Sequence, residues 1–207
     1  VCLGAVIGAP WAAALDDPSF GTIPPVLYYN PTTGQSTPFF PISWYSFGPV
    51  DNATMDAIAA SGANTVSFAD LGEHTSTWHY GAVQKALEHA QQIGMKIVVG
   101  FHPDVWRNVD YDVPSTSTTL QTWINGFKNH PALLGWLIGD EASSGHPLKA
   151  VVDSGRIIKA LDPNHQVWQC HATGVSDSTV AQYMASTDVY SLDFYQYFDN
   201  TGPFGGA

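Results

Sequence analysis

The strongest constraint in this sequence is an alternation. Short apolar runs recur along the chain, and the segments between them space their apolar residues as helices do. Residues 38–45, 64–68, 95–101, 133–138, 166–170 and 189–194 read as strands. Between them, Asp51 or Asn52 can cap a helix holding Met55, Ile58 and Ala59, which Gly62 ends. Residues 78–93 place Tyr80, Val83, Leu87, Ala90 and Ile93 at helical spacing, with Gly94 just past the end. Further helices are predicted over 118–129, over 147–161 with Leu148, Val151, Val152, Ile158 and Leu161 on the buried side, and near 178–185. The run at 95–101 is nearly all apolar, as a strand buried on both faces requires. No hairpin signal separates the strands, so the sheet is expected to be parallel.

The strand centres, near Phe40, Val66, Val98, Trp136, Trp168 and Leu192, lie about 30 residues apart on average. A (β/α)8 TIM barrel typically takes about 250 residues, and the chain has 207. The expected fold class is therefore α/β, a TIM barrel with about six of its eight strand–helix units present. A doubly wound sheet is the other arrangement open to parallel strands. It lacks support here, since no Gly-rich phosphate loop follows the first strand.

Composition removes several function classes. The chain is 44% hydrophobic and only 12% charged, the reverse of a disordered segment. Its formal net charge of -11 would repel phosphate backbones and anionic membranes, so neither nucleic acid nor membrane is an expected partner. Residues 1–14 carry no charge and end in Ala12-Ala13-Ala14, an A-x-A pattern before the polar Asp16-Asp17. They read as the partial h-region and cleavage site of a signal peptide, the alternative being a short buried apolar element. The run is too short to span a bilayer, which needs about 20 apolar residues. The expected location is secreted or extracellular, the periplasm included, with residues 15–207 forming the incomplete barrel. Cys2 would leave with the peptide, and Cys170 alone can form no internal disulfide.

In α/β barrels the reacting groups sit at the C-terminal ends of the strands. There the sequence places Trp44-Tyr45, Asp70, His102 with Asp104, Asp140-Glu141, His171, and Asp193 with Tyr195. Carboxylates, imidazoles and aromatic rings together suit cleavage of sugars, because carboxylates move protons and rings stack on pyranose faces.

The segment from His130 to Glu141, HPALLGWLIGDE, resembles the fourth strand of the clan A glycoside hydrolases. These are retaining (β/α)8 enzymes that include cellulases, mannanases and β-galactosidases. They often read "hP-x-h-x-x-W-x-h-x-[ND]-E-P" there. The resemblance implies that Glu141 is the general acid/base and that Asp140 stands where an Asn usually contacts the sugar 2-hydroxyl. The sequence departs from the pattern in Asp140 for Asn and Ala142 for Pro. Residues 39–45, the segment 57–68 and the run DVYSLDFY at 188–195 are similar to the opening, second and sixth strands of the same barrels.

Only Glu73, Glu88 and Glu141 are glutamates. Glu88 falls within a helix and reads as a surface charge, and Glu73 falls in a loop. Glu141 follows an apolar strand expected to bury it, and burial raises a carboxyl pKa toward the range of a general acid. The competing reading of Asp140-Glu141 is an acidic pair at a helix N-terminus. A retaining enzyme needs a second carboxylate about 5–5.5 Å away. The resemblance implies a glutamate ending the seventh strand, and none follows Glu141, so the nucleophile is expected beyond residue 207. Asp193 is the one in-chain substitute, and a structural role is the preferred reading for it.

The spacing of His102, Asp104 and His171 matches no metal signature; hydrogen bonding to sugar is the preferred reading, with no metal or cofactor expected. Trp44, Trp78, Trp106, Trp136, Trp168, Tyr195 and Tyr197 are candidates for sugar stacking or for core packing, and Trp106, beside Arg107 and Asn108, reads as an exposed platform. The leading function is a secreted retaining glycoside hydrolase acting on a β-linked poly- or oligosaccharide. A non-catalytic carbohydrate-binding barrel and a metal-dependent hydrolase are the alternatives.

Overall fold

The computed structural model describes residues 25–71, 77–143, 145–172 and 174–193. The apolar run at 1–14 lies outside them. The chain opens with a hairpin, β1 (Leu27–Asn30) and β2 (Gln35–Pro38), paired antiparallel. Then strands and helices alternate: β3 (Ser43–Ser46), α1 (Asn52–Ala60), β4 (Thr65–Leu71), α2 (Thr77–Ile93), β5 (Lys96–Phe101), the single turn α3 (Pro103–Trp106), α4 (Thr118–Phe127), β6 (Leu133–Ile138), α5 (Leu148–Leu161), β7 (Gln166–Ala172), α6 (Asp177–Tyr183) and β8 (Val189–Asp193).

Strands β3 to β8 form one six-stranded parallel sheet, hydrogen-bonded in strict chain order. That order decides between the two expected architectures. A doubly wound sheet reverses direction at a switch point, whereas here each unit adds beside the last and the sheet curls into part of a TIM barrel.

The alternation of strand residues sorts the core into two layers. Val66 and Phe68 on β4, Ile97, Val99 and Phe101 on β5, Trp136 and Ile138 on β6, and Val167 on β7 pack outward against the helices. Helix α4 meets them with Leu120, Trp123, Ile124 and Phe127, the i, i+3, i+4, i+7 stripe of an amphipathic helix. On the other face Val98, Leu134 and Leu137 form a smaller cluster with Tyr45 and Trp168 in the lumen. Two expected core residues sit further out: Ile93 is exposed and Val152 half-buried.

The opening hairpin corrects the sequence reading, which found no hairpin and began the first strand at Pro38. Pro38 pairs with Leu27 in the hairpin and Pro41 has no N–H to give a ladder, so the first barrel strand shortens to Ser43–Ser46. Upstream, the Asn30 side chain accepts from Thr32 N at 2.9 Å and Gly34 takes a left-handed φ of 69° to close the turn. Val26, Tyr28 and Phe39 cover the lumen cluster. The Tyr28 hydroxyl donates to Pro131 O at 3.0 Å, and Leu27 N donates to the Gln166 side chain at 2.7 Å. The hairpin therefore closes the N-terminal end of the sheet, opposite the strand ends where chemistry is expected. Among the described residues no helix is long and apolar enough to cross a membrane.

Candidate active site

Glu141 and Asp140 lie in the turn that leaves β6, at the C-terminal end of the sheet, and both are half-buried. This is less than the burial expected for Glu141, because the strand stops at Ile138 and the turn carries the carboxylates past it. No helix begins at this pair. Residues 140–143 form a turn, and α5 starts only at Leu148. The reading of the pair as a helix N-terminal charge is therefore set aside.

The turn has an unusual backbone. Gly139 adopts φ 77°, and Glu141, with φ 47°, is the non-glycine residue in left-handed conformation among those described. Such a conformation costs energy for a residue with a Cβ and persists only where its surroundings enforce it. Strand β7 supplies that enforcement. Ala142 N donates to Cys170 O at 3.0 Å, Cys170 N donates to Gly139 O at 3.3 Å, and Ser143 Oγ lies 3.0 Å from His171 Nδ1. Ser143 was not read from the sequence as part of the site, since nothing local marks a hydroxyl two residues after the glutamate.

His102 follows β5 and is half-buried beside the same end of the sheet, with its carbonyl accepting from Val105 N at 2.9 Å. Asp193 ends β8, in register with Ala172, and its side chain lies outside the described residues, as do those of Asp70, Asp104 and Trp78. Tyr195 and Tyr197 lie outside the described residues altogether.

Three expected substrate contacts are corrected. Trp106 is fully buried: the turn α3 folds its ring back so that Nε1 donates to Phe101 O at 3.0 Å, with His146 edge-on at 4.9 Å. It is no exposed platform. His171 shares the outward parity of Val167 and Gln169, and it is buried against Tyr183 and Tyr190 in the helix layer. Burial holds its imidazole below the ordinary pKa of 6.5. Trp44 is 45% exposed but lies on the strand face opposite the lumen-facing Tyr45, and it donates to Ser61 Oγ at 3.2 Å at the end of α1. Of the other tryptophans, Trp136 packs outward on Phe101, while Trp168 faces the lumen over Gly135. Cys170 is buried, as expected of an unreactive thiol.

The metal reading joined His102, Asp104 and His171. His171 turns to the helix layer, away from the lumen, and among the described residues no three His, Cys, Asp or Glu side chains form a metal-binding group.

No protein-family model matches the chain, and no curated protein matches it. Solved structures do. A glycoside hydrolase family 5 mannosidase from Rhizomucor miehei superposes with a TM-score of 0.62 at 11% identity, over 86% of this chain and 65% of that one. A glycosyl hydrolase family 2 member from Bacteroides cellulosilyticus gives 0.56 at 15% identity, over 83% of this chain and 24% of that one. A β-D-glucuronidase from Dictyoglomus thermophilum gives 0.51 at 13% identity, over 86% and 34%. The chain has the fold of these barrels. It spans about a quarter of the family 2 protein's length.

Proposed function

We propose that the protein is a glycoside hydrolase of the retaining type, acting on a β-linked poly- or oligosaccharide. The observation that carries this reading is the placement of Glu141. Among the described residues it is the one glutamate at the C-terminal end of a strand, preceded by Asp140, in a chain whose fold is similar to glycoside hydrolases of families 2 and 5. Glu141 protonates the glycosidic oxygen as the bond to the anomeric carbon breaks, then deprotonates the water that releases the glycosyl-enzyme. Asp140 and His102 are assigned to the sugar hydroxyls. No glutamate follows Glu141 in the sequence, and the attacking carboxylate is assigned to chain beyond residue 207. The apolar stretch at 1–14, with its Ala12-Ala13-Ala14 end, supports secretion.

The test is a leaving-group comparison on the full gene product. Glu141→Gln keeps the shape of the side chain but cannot donate a proton. It should cost roughly 10²–10⁴ in glycosylation rate on a substrate with a poor leaving group, and far less on an activated aryl glycoside. Azide should restore turnover on the aryl substrate, because it needs no deprotonation. Equal losses on both substrates without azide rescue would move the reading to a non-catalytic carbohydrate-binding barrel. That second reading is favoured by the two departures from the hydrolase pattern, Asp140 for Asn and Ala142 for Pro.

A further inference from the structure

We infer that Ala142 and Ser143 are positioning residues for Glu141: strand β7 holds the glutamate's turn through their bonds to Cys170 and His171, with no proline ring. The inference rests on the acid/base role proposed above for Glu141.

The observations come from both ends of the turn. Its two left-handed residues, Gly139 and Glu141, flank Asp140, and left-handed backbone is a poor place for a long side chain unless neighbours fix it. The main-chain bonds from Ala142 N to Cys170 O and from Cys170 N to Gly139 O bracket Glu141 on both sides. Ala142 is fully buried, and a Cβ on Gly139 would come within 2.8 Å of the Ala142 Cβ, so the two ends of the turn touch. One residue further, Ser143 Oγ meets His171 Nδ1 at 3.0 Å. His171 is itself held by ring contacts with Tyr190 at 5.4 Å and Tyr183 at 6.1 Å, so it offers a fixed anchor.

A proline at 142 is incompatible with this arrangement for two independent reasons. It has no N–H to give Cys170 O. It also drives the preceding residue to extended backbone, away from the φ of 47° that Glu141 holds. Strand β7 thus holds the turn by a hydrogen bond that a proline at 142 would remove.

The experiment uses the full gene product and reads the ratio of kcat/KM on an activated aryl glycoside to that on a substrate with a poor leaving group. It also reads the basic limb of the pH profile, which reports the general acid. A displaced Glu141 fails as a proton donor, so Ala142→Pro should raise the ratio by about tenfold or more and shift the basic limb. Ser143→Ala should do the same more weakly, and Ser143→Thr, which keeps the hydroxyl, should restore the original ratio. If Ala142→Pro does not fold, the Ser143 pair decides alone. Glu141→Gln is run beside them. If it raises the ratio while Ser143→Ala, and Ala142→Pro where folded, leave ratio and pH profile unchanged, this inference falls and the acid/base role stands. If Glu141→Gln does not raise the ratio, the acid/base role falls and takes the inference with it.

Discussion

The indole N–H of Trp136 donates to Asp162 Oδ2 at 2.7 Å, with both side chains buried in the layer outside the sheet. The same carboxylate oxygen lies 2.8 Å from His165 Nδ1, and Oδ1 accepts from the backbone of Asn164 and His165. One aspartate after α5 thereby gathers strand β6, the helix end and the approach to β7. Replacing it with alanine would strand a buried indole N–H and a buried imidazole. Asp162→Ala should lose roughly 3 kcal/mol or more of stability, and Asp162→Asn, which keeps an acceptor, should lose less. Denaturant unfolding of the two variants measures the difference.

Acid should destabilise the fold in two steps. Burial lowers the pKa of His171, and burial likewise lowers that of His130, below the ordinary 6.5. The unfolded chain therefore takes up protons there that the folded chain refuses, and stability falls as pH drops below about 6.5. Asp162 follows lower down. Burial pushes its pKa up, but the hydrogen bond and charge of His165 and the bond from Trp136 outweigh that and hold it below 3.8. Asp153, whose burial is outweighed by Lys149, Tyr111 N and Arg156, is also held below 3.8. Both contribute stability that is fully present above the ordinary carboxylate pKa and is lost as pH falls through their folded values. Melting temperatures from pH 7.5 to 3 should show both steps, and His171→Asn should flatten the upper one.

Two helix glycines should respond to alanine with opposite signs. In α5 a Cβ on Gly155 would sit 2.8 Å from Ser186 O and 2.2 Å from its Oγ. Gly155→Ala should cost about 1–3 kcal/mol as the segment at Ser186 is pushed away. Gly81 in α2 has open space where its Cβ would stand. Gly81→Ala should gain about 0.5–1 kcal/mol from helix propensity alone. Chemical denaturation of the two single variants checks both signs.

Processing is checked directly. Secreted protein should carry Leu15 as its first residue, and intact-mass measurement that finds any part of residues 1–14 would remove the signal-peptide assignment.

Local periodicity made the six barrel strands, the longer helices between them and the parallel sheet legible from the residues alone, though the first strand begins at Ser43 and not at Pro38. Leu133–Ile138 appears where its apolar run predicted, and Leu120, Trp123, Ile124 and Phe127 face inward as their spacing requires. The sequence also determined that Glu141 stands at a strand end. Tertiary structure decided which way the other candidates point. Periodicity says that Trp168 and Cys170 share one face of β7 and His171 the other, but only the packing of helices on one side says which face is the lumen. The same holds for Trp44 on β3. Trp106 was lost to the core because a single turn after β5 let its indole find the Phe101 carbonyl, five residues back. The hairpin β1–β2 escaped because its strands are short and partly polar, and their support is distant, from Pro131 and Gln166. The left-handed backbone of Glu141 is likewise invisible in its own residue type. Cys170, distant in sequence and adjacent in the sheet, supplies the bonds that hold it.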